Sequence, residues 1–189
     1  MPAPARHQKQ TTMRKSILLL LAIFAAGTAF SQLAVSKIIG KYSKDYQVGY
    51  GAYWALDFPT NEYGSQSVVL ELINIEYFPV SSSSDLHEGG GFFTFKAGYR
   101  YIFSEDSKTG FFLEPQAGFA LTAIGPANED PDGSPGKGLA LALIAGYSLE
   151  VGQRGNNFIF GLKYETALAG ANKSVQSVGL RAAFHYRLF

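Results

Sequence analysis

From Gly91 to Ile124 the chain alternates, residue by residue, between two kinds of side chain, and no other stretch constrains the fold as strongly. In GFFTFKAGYRYIF, Phe93, Phe95, Ala97, Tyr99, Tyr101 and Phe103 share one parity, against Phe92, Thr94, Lys96, Gly98, Arg100 and Ile102. In FFLEPQAGFALTAI, Phe111, Leu113, Pro115, Ala117, Phe119, Leu121 and Ala123 stand against Phe112, Glu114, Gln116, Gly118, Ala120, Thr122 and Ile124. Successive side chains of a strand point to opposite faces, so a period of two over about a dozen residues predicts two strands. The polar, glycine-containing break SEDSKTG makes them a hairpin.

Strands of soluble sheets run to about five or six residues, whereas a tilted membrane strand needs about 9–11. One face of this hairpin is apolar, rich in aromatics and free of charge. The other mixes glycine and alanine with isolated Lys, Arg, Glu and Gln. A soluble barrel would coat its exterior with many long charged side chains. A sparsely charged, small-residue face instead fits a narrow lumen, and the hairpin reads as part of a transmembrane β-barrel.

A chain of 189 residues predicts one folded domain, and the high Gly 21, Tyr 11 and Phe 15 suit a small barrel with aromatic girdles. Four of the 16 basic residues (Arg6, Lys9, Arg14, Lys15) lie in residues 1–31, which hold no acid. The remainder therefore carries 12 basic against 15 acidic residues, no footprint for nucleic acid. The absence of cysteine excludes a disulfide framework and thiol chemistry. Residues 13–31 (MRKSILLLLAIFAAGTAFS) place Arg14 and Lys15 before an apolar run from Ile17 to Ala26, with small residues Ala29 and Ser31 following. That is the layout of a cleaved signal peptide, too short for a membrane helix. The expected division is 1–31, extension and signal peptide, and 32–189, barrel.

Taken in order, Leu33 to Ser43 is the weakest strand, because Lys37 and Lys41 fall on the parity of Leu33, Val35 and Ile39. Tyr46 to Phe58 alternates well, with Tyr46, Val48, Tyr50, Ala52, Trp54, Leu56 and Phe58 outward and Asp57 among the opposing residues. Val68 to Phe78 changes phase, which predicts a bulge near Leu72. After the central hairpin, strands are expected from Leu139, from Phe158 and from Ser177. The fold expected is all-β: an eight-stranded antiparallel up-and-down transmembrane β-barrel. Bacterial barrels have even strand numbers, short periplasmic turns and longer outer loops. With a periplasmic C-terminus, the long breaks VSSSSDLHEGGG and GPANEDPDGSPGKG both lie outside, and Gln32 starts in the periplasm.

An Arg or Lys on the lipid side at midplane costs roughly 2–4 kcal/mol. Asp57, Lys96, Arg100, Glu114, Gln116, Lys163, Glu165 and Arg181 are therefore expected to point inward as a lumen network. The turn centred near residues 106–107 sets Arg100 across from Glu114, predicting an ion pair with Gln116 and Lys96 nearby. Eight strands leave an interior just wide enough for side chains, which favours a filling network over a permeation site. Trp54, Tyr101, Phe103, Phe111, Phe158, Phe184 and Tyr186 are expected to form an interfacial aromatic girdle.

Other motifs are weak. Asn128, Asp130, Asp132 and Gly133 imitate the start of an EF-hand loop, but Leu139 stands where the bidentate Glu belongs. His7, His87 and His185 are too scattered for a metal site. His87 with a serine from Ser81 to Ser84 lacks an evident orienting group for hydrolysis. No catalytic residue, metal or cofactor is expected.

On KAGYRYIF with its turn and FFLEPQAGFA, IAGYSLEVG followed by FIFGLKYE, and the C-terminal HYRLF, the chain from about Gln32 to Phe189 resembles the outer-membrane β-barrel domain family, whose small members are of OmpA/OmpX type. The resemblance implies the outer membrane of a Gram-negative cell, with outer-membrane lipids and the insertion machinery as partners. The terminal Phe looks like the insertion signal, although Phe189 shares parity with Arg187 and His185 rather than with the apolar Leu188 and Tyr186. The function expected is a non-enzymatic integral protein whose outer loops serve surface contacts. The competing readings are a lipid-modifying outer-membrane hydrolase and a soluble secreted ligand-binding barrel.

Overall fold

The computed structural model describes residues 32–82, 84, 89–104, 108–124, 135–151, 156–169 and 174–185. The alternating segments form eight strands: β1 (Gln32–Ile39), β2 (Gly49–Pro59), β3 (Gln66–Phe78), β4 (Gly90–Ile102), β5 (Gly110–Ala123), β6 (Gly136–Val151), β7 (Asn156–Leu168) and β8 (Val175–His185). Each pairs antiparallel with its neighbours in sequence, and β1 closes onto β8 through Leu33↔Ala182 and Val35↔Leu180. Closure leaves no sheet edge, the condition a sheet must meet in lipid, where no water can satisfy an unpaired backbone group. The end bearing the β1–β2, β3–β4, β5–β6 and β7–β8 connections is termed the outer end, and the opposite one the inner end.

Alternation carries through as sidedness. Phe93, Phe95, Tyr99 and Tyr101 of β4 face out, while Phe92, Thr94, Lys96, Arg100 and Ile102 are buried. The β4–β5 register, Gly98↔Gln116 and Tyr101↔Leu113, is the one a turn near residues 106–107 dictates. In β3 the inward parity changes from Val69 and Glu71 to Asn74 and Glu76, because Trp54 pairs with Ile73 but Ala55 with Glu71. Leu72 is the extra residue of a bulge, as the phase change predicts.

Three boundaries differ from the sequence reading by three residues or more. β1 ends at Ile39, short of Ser43, because Gly40 takes a left-handed φ of 80° and turns the chain. β2 begins at Gly49, and Tyr46, expected on the outward row, instead turns its ring inward while its backbone bridges to Val80. There it packs with Ile38, Tyr42, Phe78, Phe92, Ile124 and Val175. Filling the mouth of the lumen outweighs local alternation once the strand has ended. β6 starts at Gly136 rather than Leu139, extending the β5–β6 ladder to Thr122↔Gly136.

The lumen is narrow enough for glycine to matter at one inward position in particular. A Cβ on Gly118 would collide with the Phe95 carbonyl and lie 2.6 Å from Lys96 Cα, backbone atoms that cannot yield separately from the ladder. Gly118→Ala is expected to lower stability by about 1–3 kcal/mol, read as an earlier urea midpoint of the refolded protein.

Candidate functional site

Inward parity and closure together build a polar layer between two apolar plugs. The outer plug is the cluster around Tyr46, Phe78 and Phe92 described above. The inner plug is Ile102, Phe112, Ile144, Ile159 and Ala183, with Tyr53 packed against it. Between them lie charged side chains drawn from strands that are distant in sequence.

The larger group is a chain of alternating charge. Arg181 Nη2 donates to Glu71 Oε2 at 2.5 Å, and Lys96 Nζ lies 2.8 Å from Glu71 Oε1. Lys96 also bonds Glu165 Oε1, and Lys163 Nζ reaches Glu165 Oε2 at 2.7 Å. Lys163 then bonds Glu76 Oε1, which accepts from Asn74 Nδ2 at 3.1 Å, and the same amide donates to Thr94 Oγ1 at 3.2 Å. Three cations and three carboxylates thus neutralise one another, with the side chains of Lys96 and Glu165 at 0% exposure. At that depth an unpaired charge would cost several kcal/mol, and pairing is what makes burial tolerable.

The smaller group lies toward the inner end. Arg100 Nε donates to Glu114 Oε2 and Nη1 to Asp57 Oδ2, each at 2.6 Å. Gln116 Nε2 donates to Glu114 Oε1 at 2.6 Å. The Arg100 guanidinium lies over Phe112, and that of Arg181 over Tyr53 at 3.6 Å from the ring centre. Tyr53 and the two arginines so join the groups. The cavity bordered by Tyr53, Arg100, Glu114 and Arg181 holds only about 10 Å³, space for about one water.

The structure therefore brings Asp57, Arg100, Glu114 and Gln116 together, and Lys163, Glu165 and Arg181 into a separate chain. Lys96, expected beside Arg100, belongs to that second chain, because its ammonium extends across the lumen to β3 and β7. Glu71, Glu76, Asn74 and Tyr53 complete the layer and were not among the expected site residues. The signal for the first three is the bulge, which carries inward orientation from Glu71 across to Asn74 and Glu76.

Outside the barrel, rings gather at the inner ends of the strands. Tyr101 packs edge-on to Phe103 at 5.0 Å and Phe111 to Tyr147 at 5.1 Å. Tyr147 and Phe158 both neighbour Phe160, and Phe184 pairs with Phe158 across β7–β8. Trp54, also expected in the girdle, does not lie with these rings. It sits mid-strand opposite Ile73 at the bulge, half-buried. Tyr186 and His87 lie outside the described residues, as do residues 125–134 with the EF-hand-like loop, and the side chain of His185. Ser81 and Ser84 form a turn docked on Asp45: Ser81 N donates to the Asp45 carbonyl at 2.8 Å and Ser84 Oγ to Asp45 Oδ1 at 3.4 Å.

No family model and no curated protein matches the chain. Solved structures do. Neisserial surface protein A (NspA) superposes with a TM-score of 0.57 at 15% identity, covering 82% of this chain and 92% of its own. The outer membrane enzyme PagL superposes with a TM-score of 0.55 at 16% identity, covering 82% of this chain and 97% of its own. These likenesses establish the fold, that of the small eight-stranded outer-membrane barrels.

Proposed function

We propose that the protein is a non-enzymatic integral protein of a Gram-negative outer membrane, with a lumen filled by side chains and outer loops presented for surface contact. The observation that carries this reading is the inversion of polarity across one wall. The side chains of Lys96, Lys163, Glu71 and Glu165 are at most 1% exposed, while Leu180 is 64% and Phe111 70% exposed on the outside. Water would reward the opposite arrangement, and lipid rewards this one.

On this reading Asp57, Lys96, Arg100, Glu114, Gln116, Lys163, Glu165 and Arg181 fill and rigidify the lumen. Tyr101, Phe103, Phe111, Phe158 and Phe184 form the inner-leaflet part of the interfacial girdle. Residues 1–31 are removed on export, and the outer-membrane insertion machinery folds the remainder. The fold is shared with an enzyme by name, and a lipid-modifying outer-membrane hydrolase is the competing reading.

The test has two arms. Detergent-extracted protein should run as a compact band that shifts on boiling, and carbonate washing should leave it in the membrane. In planar bilayers it should show no steady single-channel conductance, because both ends of the lumen are plugged. Release by carbonate would favour the soluble ligand-binding barrel, and a stable ohmic step would refute the filled lumen.

A further inference from the structure

One feature of β1 finds no role in the filled barrel. Its outward row is Leu33, Val35, Lys37 and Ile39, a cation in an apolar face. On a lipid-facing strand such a cation costs from about 0–1 kcal/mol near the interface to roughly 2–4 at midplane. The Lys37 ammonium reaches toward the outer end, where it bonds the Tyr46 carbonyl. Lys41 and Lys44 follow on the adjoining turn, both exposed, with the Lys41 ammonium 4.9 Å from the centre of the Tyr42 ring. The acid of this turn, Asp45, accepts the Ser84 hydroxyl. Three cations against one carboxylate therefore mark the outer end of the β1–β2 hairpin among the described residues.

Directly below them the outer wall is indented. A depression of about 430 Å³ crosses β6, β7, β8 and β1, bounded by Leu33, Val35, Phe160, Leu162, Leu180 and Ala182. The β1–β8 register joins the two features: Lys37 neighbours Val178, Val35 neighbours Leu180 and Leu33 neighbours Ala182. From Lys37 to Leu33 the strand spans about 13 Å at 3.3 Å per residue. Barrel strands tilt by about 35–45°, so this is about 10 Å of height, less than half of an apolar band about 25 Å tall and within the reach of an acyl chain whose headgroup lies at the lysines.

We propose that this face is a binding site for one phosphorylated lipid of the outer leaflet. The phosphate lies among Lys37, Lys41 and Lys44, and an acyl chain occupies the depression beside Ala182. The site rests on the membrane reading above. A second copy of the chain is the poorer occupant. Two-fold symmetry about the membrane normal would place both lysine clusters at one height and facing each other, with like charges opposed.

The test uses the full chain refolded into phosphatidylcholine vesicles containing spin-labelled phosphatidic acid or spin-labelled phosphatidylcholine with the same chain. The wild type should hold the anionic probe in the motionally restricted fraction at least about fivefold over the zwitterionic one. Fivefold corresponds to the ~1 kcal/mol that one lysine contributes near an anionic headgroup. The K37Q/K41Q/K44Q variant should bring the ratio to about one, and A182F should reduce the restricted phosphatidic acid signal. Salt at 0.5 M should collapse the wild-type preference without any substitution, so a variant that fails to fold does not spoil the test. A preference unchanged by salt and by the triple substitution overturns the site. Restricted lipid of both kinds with no preference overturns the site and leaves the barrel in its membrane. No restricted lipid at all overturns the membrane reading itself.

Discussion

Lys163→Met is expected to destabilise the barrel by about 3–5 kcal/mol, the penalty for breaking a buried ion pair from one side. The Lys163 ammonium bonds Glu165 Oε2 at 2.7 Å and also Glu76 Oε1, and its side chain is 1% exposed. Methionine fills similar space without the charge, so two carboxylates lose a cation that no water can replace. Glu165 keeps Lys96, and Glu76 keeps only the Asn74 amide. The excess negative charge is then confined between the two plugs. Removing Glu76 as well, in K163M/E76L, restores balance: Arg181 and Lys96 remain against Glu71 and Glu165. Asn74 still has Thr94 Oγ1 as an acceptor. The double variant is expected within about 1 kcal/mol of the parent, since a buried pair replaced whole by apolar groups is often neutral. Urea unfolding in lipid vesicles, followed through the single tryptophan, measures both. A loss below about 1 kcal/mol for Lys163→Met would mean that water enters the layer and the plugs do not seal it.

What the sequence revealed of this layer follows from the range of the signal. Strand parity is a local property, so Lys96, Arg100, Glu114, Lys163, Glu165 and Arg181 could be assigned to the lumen before any fold was known. The Arg100–Glu114 pair is also local, because one short turn sets the register of its hairpin. Partners across the lumen are not local. Lys96 on β4 meets Glu165 on β7 only because closure puts those strands on opposite walls, and no spacing in the chain encodes that meeting.

Glu71 and Glu76 were obscured for a different reason. Their parities disagree, and a single extra residue at Leu72 reconciles them only when its position is known to within one residue. Trp54 shows the converse limit: parity assigns the side of the wall but not the depth along the strand, and Trp54 lies at the middle of β2. Tyr46 marks where alternation stops being informative. Past the end of a strand, side-chain direction follows the space to be filled, here the mouth of the barrel.

Depth also separates a membrane wall from a soluble one. Leu143 and Leu149 lie on the same outward row of β6, and their exposures are nearly equal, 45% and 44%. Leu143 is at the middle of the strand, while Leu149 is near its inner end, two residues beyond Tyr147, whose ring packs on Phe111. In lipid, Leu143→Arg should cost roughly 2–4 kcal/mol and Leu149→Arg about 0–1, because the headgroup region accepts a guanidinium that the hydrocarbon layer does not. In water the two positions are equivalent, and each substitution should stay within about 0.5 kcal/mol. Urea midpoints of both variants in vesicles therefore report on the solvent outside the barrel without reference to activity. Equal, small effects would place water against the outer wall and remove the membrane reading. A large difference in the stated order requires a medium that becomes steadily less polar from the inner rim to Leu143. Only a bilayer supplies that gradient along a single face of exposed leucines.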